Sequence, residues 1–272
     1  MNLPVIDETL AARLIQSETA FYESRIRSIG ERPGNPEGVE IRRFGNAAAF
    51  YIKTMPWGLF NSVKGFARAD IDRLDDVISF YRERNRVFQM DVDPLGFDSK
   101  ALKQLAEKGL YQDGFQSVLY GVPASDPPPL PPNITIRQIE NEADFDHYAG
   151  IHCVGSGMDI KHKHHFYNNN IGLLHRPGWK MYLALWDGTP AAVAVMFVDG
   201  GIASFTLAAT APEFRRRGLQ TALLRWRMHE AYRSGCELVA AQASFDSSSR
   251  RNMERIGMRV AWMRAIWKPL QL

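Results

Sequence analysis

Apolar and polar residues alternate from Ile134 to Ile139 (ITIRQI), the period of a strand with one buried face. Residues 143–152 then carry a helical pattern. Three further runs, Lys180–Trp186 (KMYLALW), Pro190–Val198 (PAAVAVMFV) and Ile202–Ala209, read as strands. Asp187-Gly188 and Asp199-Gly200-Gly201 join them as short turns, so an antiparallel meander is expected. After Pro212-Glu-Phe-Arg-Arg-Arg-Gly218 the period changes to helical. Leu223, Leu224, Met228 and Ala231 fall at helical spacings, and Ser234-Gly235 ends the run. Leu238–Ala243 is a strand, Asp246 or Ser247 caps a short helix ending at Gly257, and Val260–Trp267 is the last strand.

The first part of the chain has a similar outline. Residues 8–28 are helical, 39–43 and 47–53 are strands, and 62–66 is a third. Residues 69–83 (ADIDRLDDVISFYRE) put Ile71, Leu74, Ile78 and Tyr81 on one helix face. A strand at 87–92, a helix at 99–108 and a strand at 115–120 follow. The order strand, strand, strand, helix, strand, helix, strand thus occurs twice, with no repeat at residue level.

Between the parts lies Pro123-Ala-Ser-Asp-Pro-Pro-Pro-Leu-Pro-Pro132. Its prolines lack N–H donors and favour extended backbone, so it reads as a linker. The expected domains are therefore 1–122 and 133–272, with 123–132 between them. The length of 272 residues suits two domains better than one.

Composition narrows the function classes. With 45% hydrophobic residues and a net charge of +3, the chain has material for a core and is not disordered. No apolar stretch is long enough to span a membrane, and the acidic N-terminus does not read as a secretory signal. Cys153 and Cys236 form no CxxC, so neither a disulfide framework nor a cysteine zinc site is expected, and a cytoplasmic setting fits. The charge is uneven. Residues 1–130 hold 16 bases and 18 acids, whereas residues 131–272 hold 17 and 12, together with all seven histidines. The second part is where an anionic ligand belongs.

Thr210-Ala-Pro-Glu-Phe-Arg-Arg-Arg-Gly-Leu-Gln-Thr-Ala-Leu-Leu224 carries the chemistry. A strand ends, a turn follows, and a helix starts at an Arg/Gly stretch. Free N–H groups at a helix start, with the partial positive charge there, suit a diphosphate. Gly218 lets the anion approach and Arg215, Arg216 and Arg217 add charge. The plainer reading is a basic helix start on a solvated face.

This segment resembles the acetyl-CoA loop of the GNAT (Gcn5-related) N-acetyltransferases, Arg/Gln-x-x-Gly-x-Gly/Ala with a preceding proline. Here it reads Arg215-x-x-Gly218-x-Gln220 after Pro212, and Gln220 departs from the pattern. The resemblance spans 133–272. It implies an α/β fold of tandem GNAT-like domains, each a mixed, mostly antiparallel twisted sheet flanked by helices, with the N-terminal one degenerate. It also implies that the backbone of Ala208, Ala209 and Thr210 holds the pantetheine arm. The amides of Arg216, Arg217, Gly218, Leu219, Gln220 and Thr221 would cradle the pyrophosphate. Acetyl-CoA or another acyl-CoA is the implied cosubstrate, and a backbone N–H near the thioester stabilises the oxyanion.

The family's second segment, Asn-x-x-Ala-x-x-Leu-Tyr-x-x-x-Gly-Phe, is matched at Gly257. Met258 replaces Phe, Met253 stands at the Tyr position and Asp246 at the Asn position. The Tyr often protonates the leaving thiolate, and a thioether cannot. The general acid is thus unassigned, with Ser249 and Asn252 as neighbours that either help hold the thiol end or face solvent.

Other features have plainer readings. Lys161-His-Lys-His-His-Phe166 lacks ligand spacing for a metal and reads as a solvated loop or a basic wall of the acceptor pocket. Glu213 and Asp246 are weak candidates for a general base. His229, Trp226, Trp262 and both cysteines read as surface or core. The first part has no phosphate loop: Gly65-Phe-Ala-Arg-Ala-Asp-Ile-Asp72 puts Asp70 and Asp72 at its helix start, which opposes an anion. Trp57, Phe60 and Asn61 line an acceptor pocket or are plain core. The expected activity is acyl transfer from acyl-CoA to an amine of a small molecule or peptide, by a monomer or homodimer. Its rivals are a non-catalytic acyl-CoA sensor and a nucleic-acid binder, the latter poorly supported by charge.

Overall fold

A computed structural model describes residues 3–270. The chain forms two compact units. The N-terminal unit comprises Val5–Val118 and the chain from Ala261 on. The C-terminal unit comprises Leu119–Val260 and the chain up to Pro4.

In the N-terminal unit, α1 (Glu8–Gly30) is capped by Asp7, whose carboxylate accepts from Leu10 N. It is followed by β1 (Val39–Phe44), β2 (Ala47–Ile52) and β3 (Ser62–Lys64). A 3-10 turn over Arg68–Arg73 leads into α2 (Leu74–Arg82), then β4 (Gln89–Val92), α3 (Ser99–Glu107) and β5 (Leu110–Gly121), whose last three residues belong to the other unit. β1, β2 and β3 pair antiparallel, and β3 runs parallel to β4. The core gathers Tyr51, Val63, Tyr81, Phe88 and Met90, with the Tyr81 hydroxyl donating to the carbonyls of Phe50 and Ser62.

The C-terminal unit continues with β6 (Ile134–Gln138), α4 (Glu142–Gly155), α5 (Lys163–Asn168), β7 (Trp179–Trp186), β8 (Thr189–Asp199) and β9 (Ile202–Thr210). Then come α6 (Leu219–Arg233), β10 (Leu238–Ala243) and α7 (Ser248–Arg255), before β11 (Arg259–Pro269), which from Ala261 on belongs to the N-terminal unit. β7 to β9 form the expected antiparallel meander, β6 pairs antiparallel with β7, and β9 runs parallel to β10. The two units therefore share one pairing scheme, in which antiparallel steps precede a parallel step bridged by a helix. The parallel step needs that crossover because a tight turn cannot return the chain in the same direction. α6 buries Leu219, Leu223, Leu224 and Met228 in a core with Phe205, Val239 and Met253. Ser247 caps α7 by accepting from Arg250 N.

Three expectations change. The units are not the linear halves 1–122 and 133–272, because β11 pairs with β4 (Ala265 opposite Val92) and buries Trp267 in the N-terminal core. The expected linker 123–132 is part of the C-terminal unit: Ala124 N donates to the Met228 carbonyl and Leu130 packs on its core. The stretch Lys161–Phe166 is not a loop but the 3-10 turn Ile160–His162 running into α5, begun by the Asp159 carboxylate accepting from Lys161 N.

Candidate functional site

β9 and β10 are hydrogen-bonded only as far as Phe205 and Ala241. β9 runs on to Thr210 without that neighbour, so backbone N–H and C=O groups of its last residues lie open on one edge. On its other edge the register with β8 slips. Val193 faces Ala209 and Val195 faces Thr206, so β9 carries an extra residue. Leu207 takes a left-handed φ of 46° there, the mark of a bulge.

Beyond β9 a 3-10 turn spans Pro212–Phe214, and the loop then turns left-handed twice, at Arg216 (φ 62°) and at Gly218 (φ 81°). Such alternation points successive N–H groups into one concavity, which binds anions. Gly218 is the N-cap of α6, no side chain caps it, and no protein atom lies within 4 Å of where its Cβ would be. The first amides of α6 are thus open to a ligand.

Slot and loop form one cavity of about 640 Å³. Eight of the nine residues expected at the site line it: Ala208, Ala209, Thr210, Arg216, Gly218, Leu219, Gln220 and Thr221. Arg217 does not. Its guanidinium lies over the rings of Trp186 (5.1 Å) and Phe214 (5.3 Å), which leaves only its amide for a ligand. Arg215 donates to the Gly155 carbonyl at 3.0 Å and so ties the loop to the end of α4. Gly155 itself lies so close to β9 that a Cβ would stand 2.7 Å from that of Ala209.

Gln220, the departure from the motif, is used. Its Nε2 donates to Ser249 Oγ (3.1 Å) and its Oε1 accepts from Asn252 Nδ2 (2.7 Å), joining α6 to α7. Asn252 lines the cavity. Met253, at the Tyr position, is buried in the core. Glu213 and Asp246 are exposed and do not line the cavity. Among the described lining residues there is no carboxylate, histidine or tyrosine.

Sequence reasoning missed Gly155, Val193 and Arg227. Arg227 is the one with a chemical signal: it is 1% exposed, and burial pushes its guanidinium down to about 9, only partly opposed by Tyr182. No local motif marks it, because only the packing of α6 on the sheet brings it to the cavity.

In the N-terminal unit the corresponding helix start is filled from within. Buried Asp70 accepts from Ala67 N (3.0 Å) and Asn46 N (2.9 Å), so a carboxylate already takes the amide. Where β3 and β4 cease to pair, Lys64 Nζ meets Asp91 (2.5 Å) and Glu18 (3.1 Å). Arg264 joins Glu18, Asp91 and Asp93 at 2.7–2.8 Å. Burial would raise the Glu18 carboxyl, but Arg264 and Lys64 outweigh it and bring it to about 2. For Asp93 burial wins over Arg264 and the carboxyl is raised.

The sequence model of the acetyltransferase (GNAT) family matches residues 138–258. Residues 138–258 therefore carry a GNAT-family domain. No curated protein sequence matches the chain. Solved structures share the GNAT fold over nearly all of it. A GCN5-related N-acetyltransferase from Kribbella flavida is 15% identical, covers 97% of this chain and 96% of its own, and has a TM-score of 0.69. One from Sphaerobacter thermophilus is 16% identical, with coverage of 100% and 99% and a TM-score of 0.57. A tandem GNAT protein from the clavulanic acid biosynthesis pathway is 12% identical, with coverage of 94% and 95% and a TM-score of 0.60. Among the described residues no helix is long and apolar enough to cross a membrane.

Proposed function

We propose that the C-terminal GNAT domain binds acetyl-CoA or another acyl-CoA and transfers its acyl group to an amine in a ternary complex. The observation that carries this reading is the continuity of the unpaired β9 edge with the left-handed loop at Arg216 and Gly218, within one cavity. The amides of Arg216–Thr221 would hold the pyrophosphate, and the backbone of Ala208–Thr210 the pantetheine arm.

The amine lone pair attacks the thioester carbon and the C–S bond breaks. A backbone N–H at the β9 bulge would meet the developing oxyanion. The lining side chains offer no carboxylate, histidine or tyrosine. The amine therefore loses its proton to solvent, and the thiolate takes one from solvent. Orientation rather than acid–base chemistry is what the cavity would supply.

The N-terminal unit is, in this reading, a degenerate GNAT-like domain. Asp70 takes up its helix start, and the Lys64 and Arg264 ion pairs fill the place where its strands part. A cytoplasmic protein acting on small-molecule or peptide amines fits the same reading.

Isothermal titration tests it. Acetyl-CoA is expected to bind the full chain, and Gly218→Glu is expected to weaken binding at least about a hundredfold, by putting a charge and a side chain at a left-handed anion site. Absence of binding, or unchanged binding in the variant, refutes it. The lack of an ionisable side chain other than arginine in the cavity also favours a second reading, a sensor that binds acyl-CoA without turnover. Release of CoA in the presence of a panel of amines separates the two.

A further inference from the structure

Arg227 buries a positive charge without an acid beside it. Its Nη1 donates to the Val195 carbonyl (2.9 Å), its Nε to Leu223 (3.3 Å), and its guanidinium lies 4.5 Å from the Phe205 ring centroid. No carboxylate pairs with it among the described residues, and its two hydrogen bonds leave from Nε and Nη1, not from Nη2. Glu230, one turn further along α6, is committed to Arg233 at 2.9 Å. A buried cation with neutral partners alone is costly, and a ligand anion offsets that cost.

The position of this charge in the cavity says which anion. Arg227 lies nine residues beyond Gly218, about 13 Å along the helix at about 1.5 Å per residue. Going back along β9 from Thr210 to Thr206 covers about 13 Å at about 3.3 Å per residue. Strand and helix run in opposite directions from the loop, so both measures reach the same level, as the contact with Phe205 shows. It is also the level at which β10 rejoins β9 and the slot ends. The charge is therefore at the floor of the cavity, far from the pyrophosphate loop.

Resting on the acyl-CoA reading above, we infer that the cavity takes an acyl group ending in a carboxylate, of the malonyl or succinyl class, and that Arg227 pairs with that carboxylate. An arm entering at the loop and following the open edge of β9 delivers its acyl end to this floor. An acetyl group offers only its thioester carbonyl, which every acyl-CoA shares, and no anion to balance the guanidinium. A terminal carboxylate meets Nη2 with a charge-assisted hydrogen bond.

Binding decides the matter without knowledge of the acceptor. CoA, acetyl-CoA, malonyl-CoA and succinyl-CoA are titrated into the full chain by calorimetry. One of the carboxylated acyl-CoAs is expected to bind at least about tenfold tighter than acetyl-CoA, as a charge-assisted contact in a dry site should give. In Arg227→Gln the ratio is expected to fall to within about twofold, and in the exposed-site control Arg225→Gln to persist. Should Arg227→Gln fail to fold, the thermal shift of the unaltered chain with malonyl-CoA or succinyl-CoA against acetyl-CoA still decides. Acetyl-CoA binding as tightly as both carboxylated forms overturns this inference alone, as does a preference that survives in folded Arg227→Gln. If no form of CoA binds, the acyl-CoA reading falls and this one with it.

Discussion

Gly155 and Gly218 are both conditions of the site, for opposite reasons. Gly218 faces open space and is required by its left-handed φ, whereas Gly155 is required by contact, with Ala209 against its Cα. Gly155→Ala is therefore expected to cost about 1–3 kcal/mol in urea unfolding, the usual cost of overpacking, and to weaken acyl-CoA binding by displacing β9. Only one of the two glycines was legible in the chain. Gly218 belongs to a run of consecutive residues whose spacing is the motif, and so do Ala208–Thr210 on one side and Leu219–Thr221 on the other. Gly155 and Arg227 reach the cavity by packing, from α4 and from the middle of α6, and their neighbours in sequence say nothing of it. Arg217 shows the converse: it stands in the motif, yet Trp186 and Phe214, distant from each other in sequence, decide where its side chain goes.

At the scale of elements, the loop before α6 depends on α7 as well as on α6. Gln220 holds Ser249 and Asn252, so the helix that starts at the anion site is fastened to the short helix beside it. Gln220→Ala removes both bonds at about 1 kcal/mol each. Amides of α7 are then expected to exchange with deuterium faster than in the unaltered chain, while those in the middle of α6 are not. The elements themselves were largely legible, since strands of the meander alternate and α6 begins at a glycine. Two were not. The helix expected at 69–83 opens instead as a 3-10 turn, where Asp70, expected only to oppose an anion, accepts from Ala67 N and Asn46 N. α5 was hidden because its run of His and Lys has no apolar period, and the Asp159 cap stands at the 3-10 turn before it rather than at its own start.

The molecule as a whole is divided otherwise than its sequence suggests, since the proline-rich stretch packs on one unit and the chain from Ala261 on completes the other. No pattern in a strand names its partner. Removing one member of a buried ion pair typically costs about 3–5 kcal/mol, so Glu18→Gln is expected to destabilise the N-terminal unit by about that much in denaturant. The same carboxylate sets an acid limit. Its folded value of about 2 lies below the ordinary 4.5, so the stability it confers is complete above the ordinary value and is lost as pH falls toward the folded one. Asp93, raised by burial, acts with the opposite sign over the acid range. Acid unfolding followed by the fluorescence of Trp262 and Trp267 is expected to lose part of its steepness in Glu18→Gln.

Arg264 also fixes an order of events. Without it, Glu18 and Asp91 share Lys64 and Asp93 loses the arginine it pairs with, a surplus of negative charge that keeps a half-made interior wet. Domains usually fold in the order of their synthesis. Here the unit that begins first must wait for an arginine that leaves the ribosome after every residue of the cavity beside α6, so on a growing chain the later unit is free to fold before the earlier one.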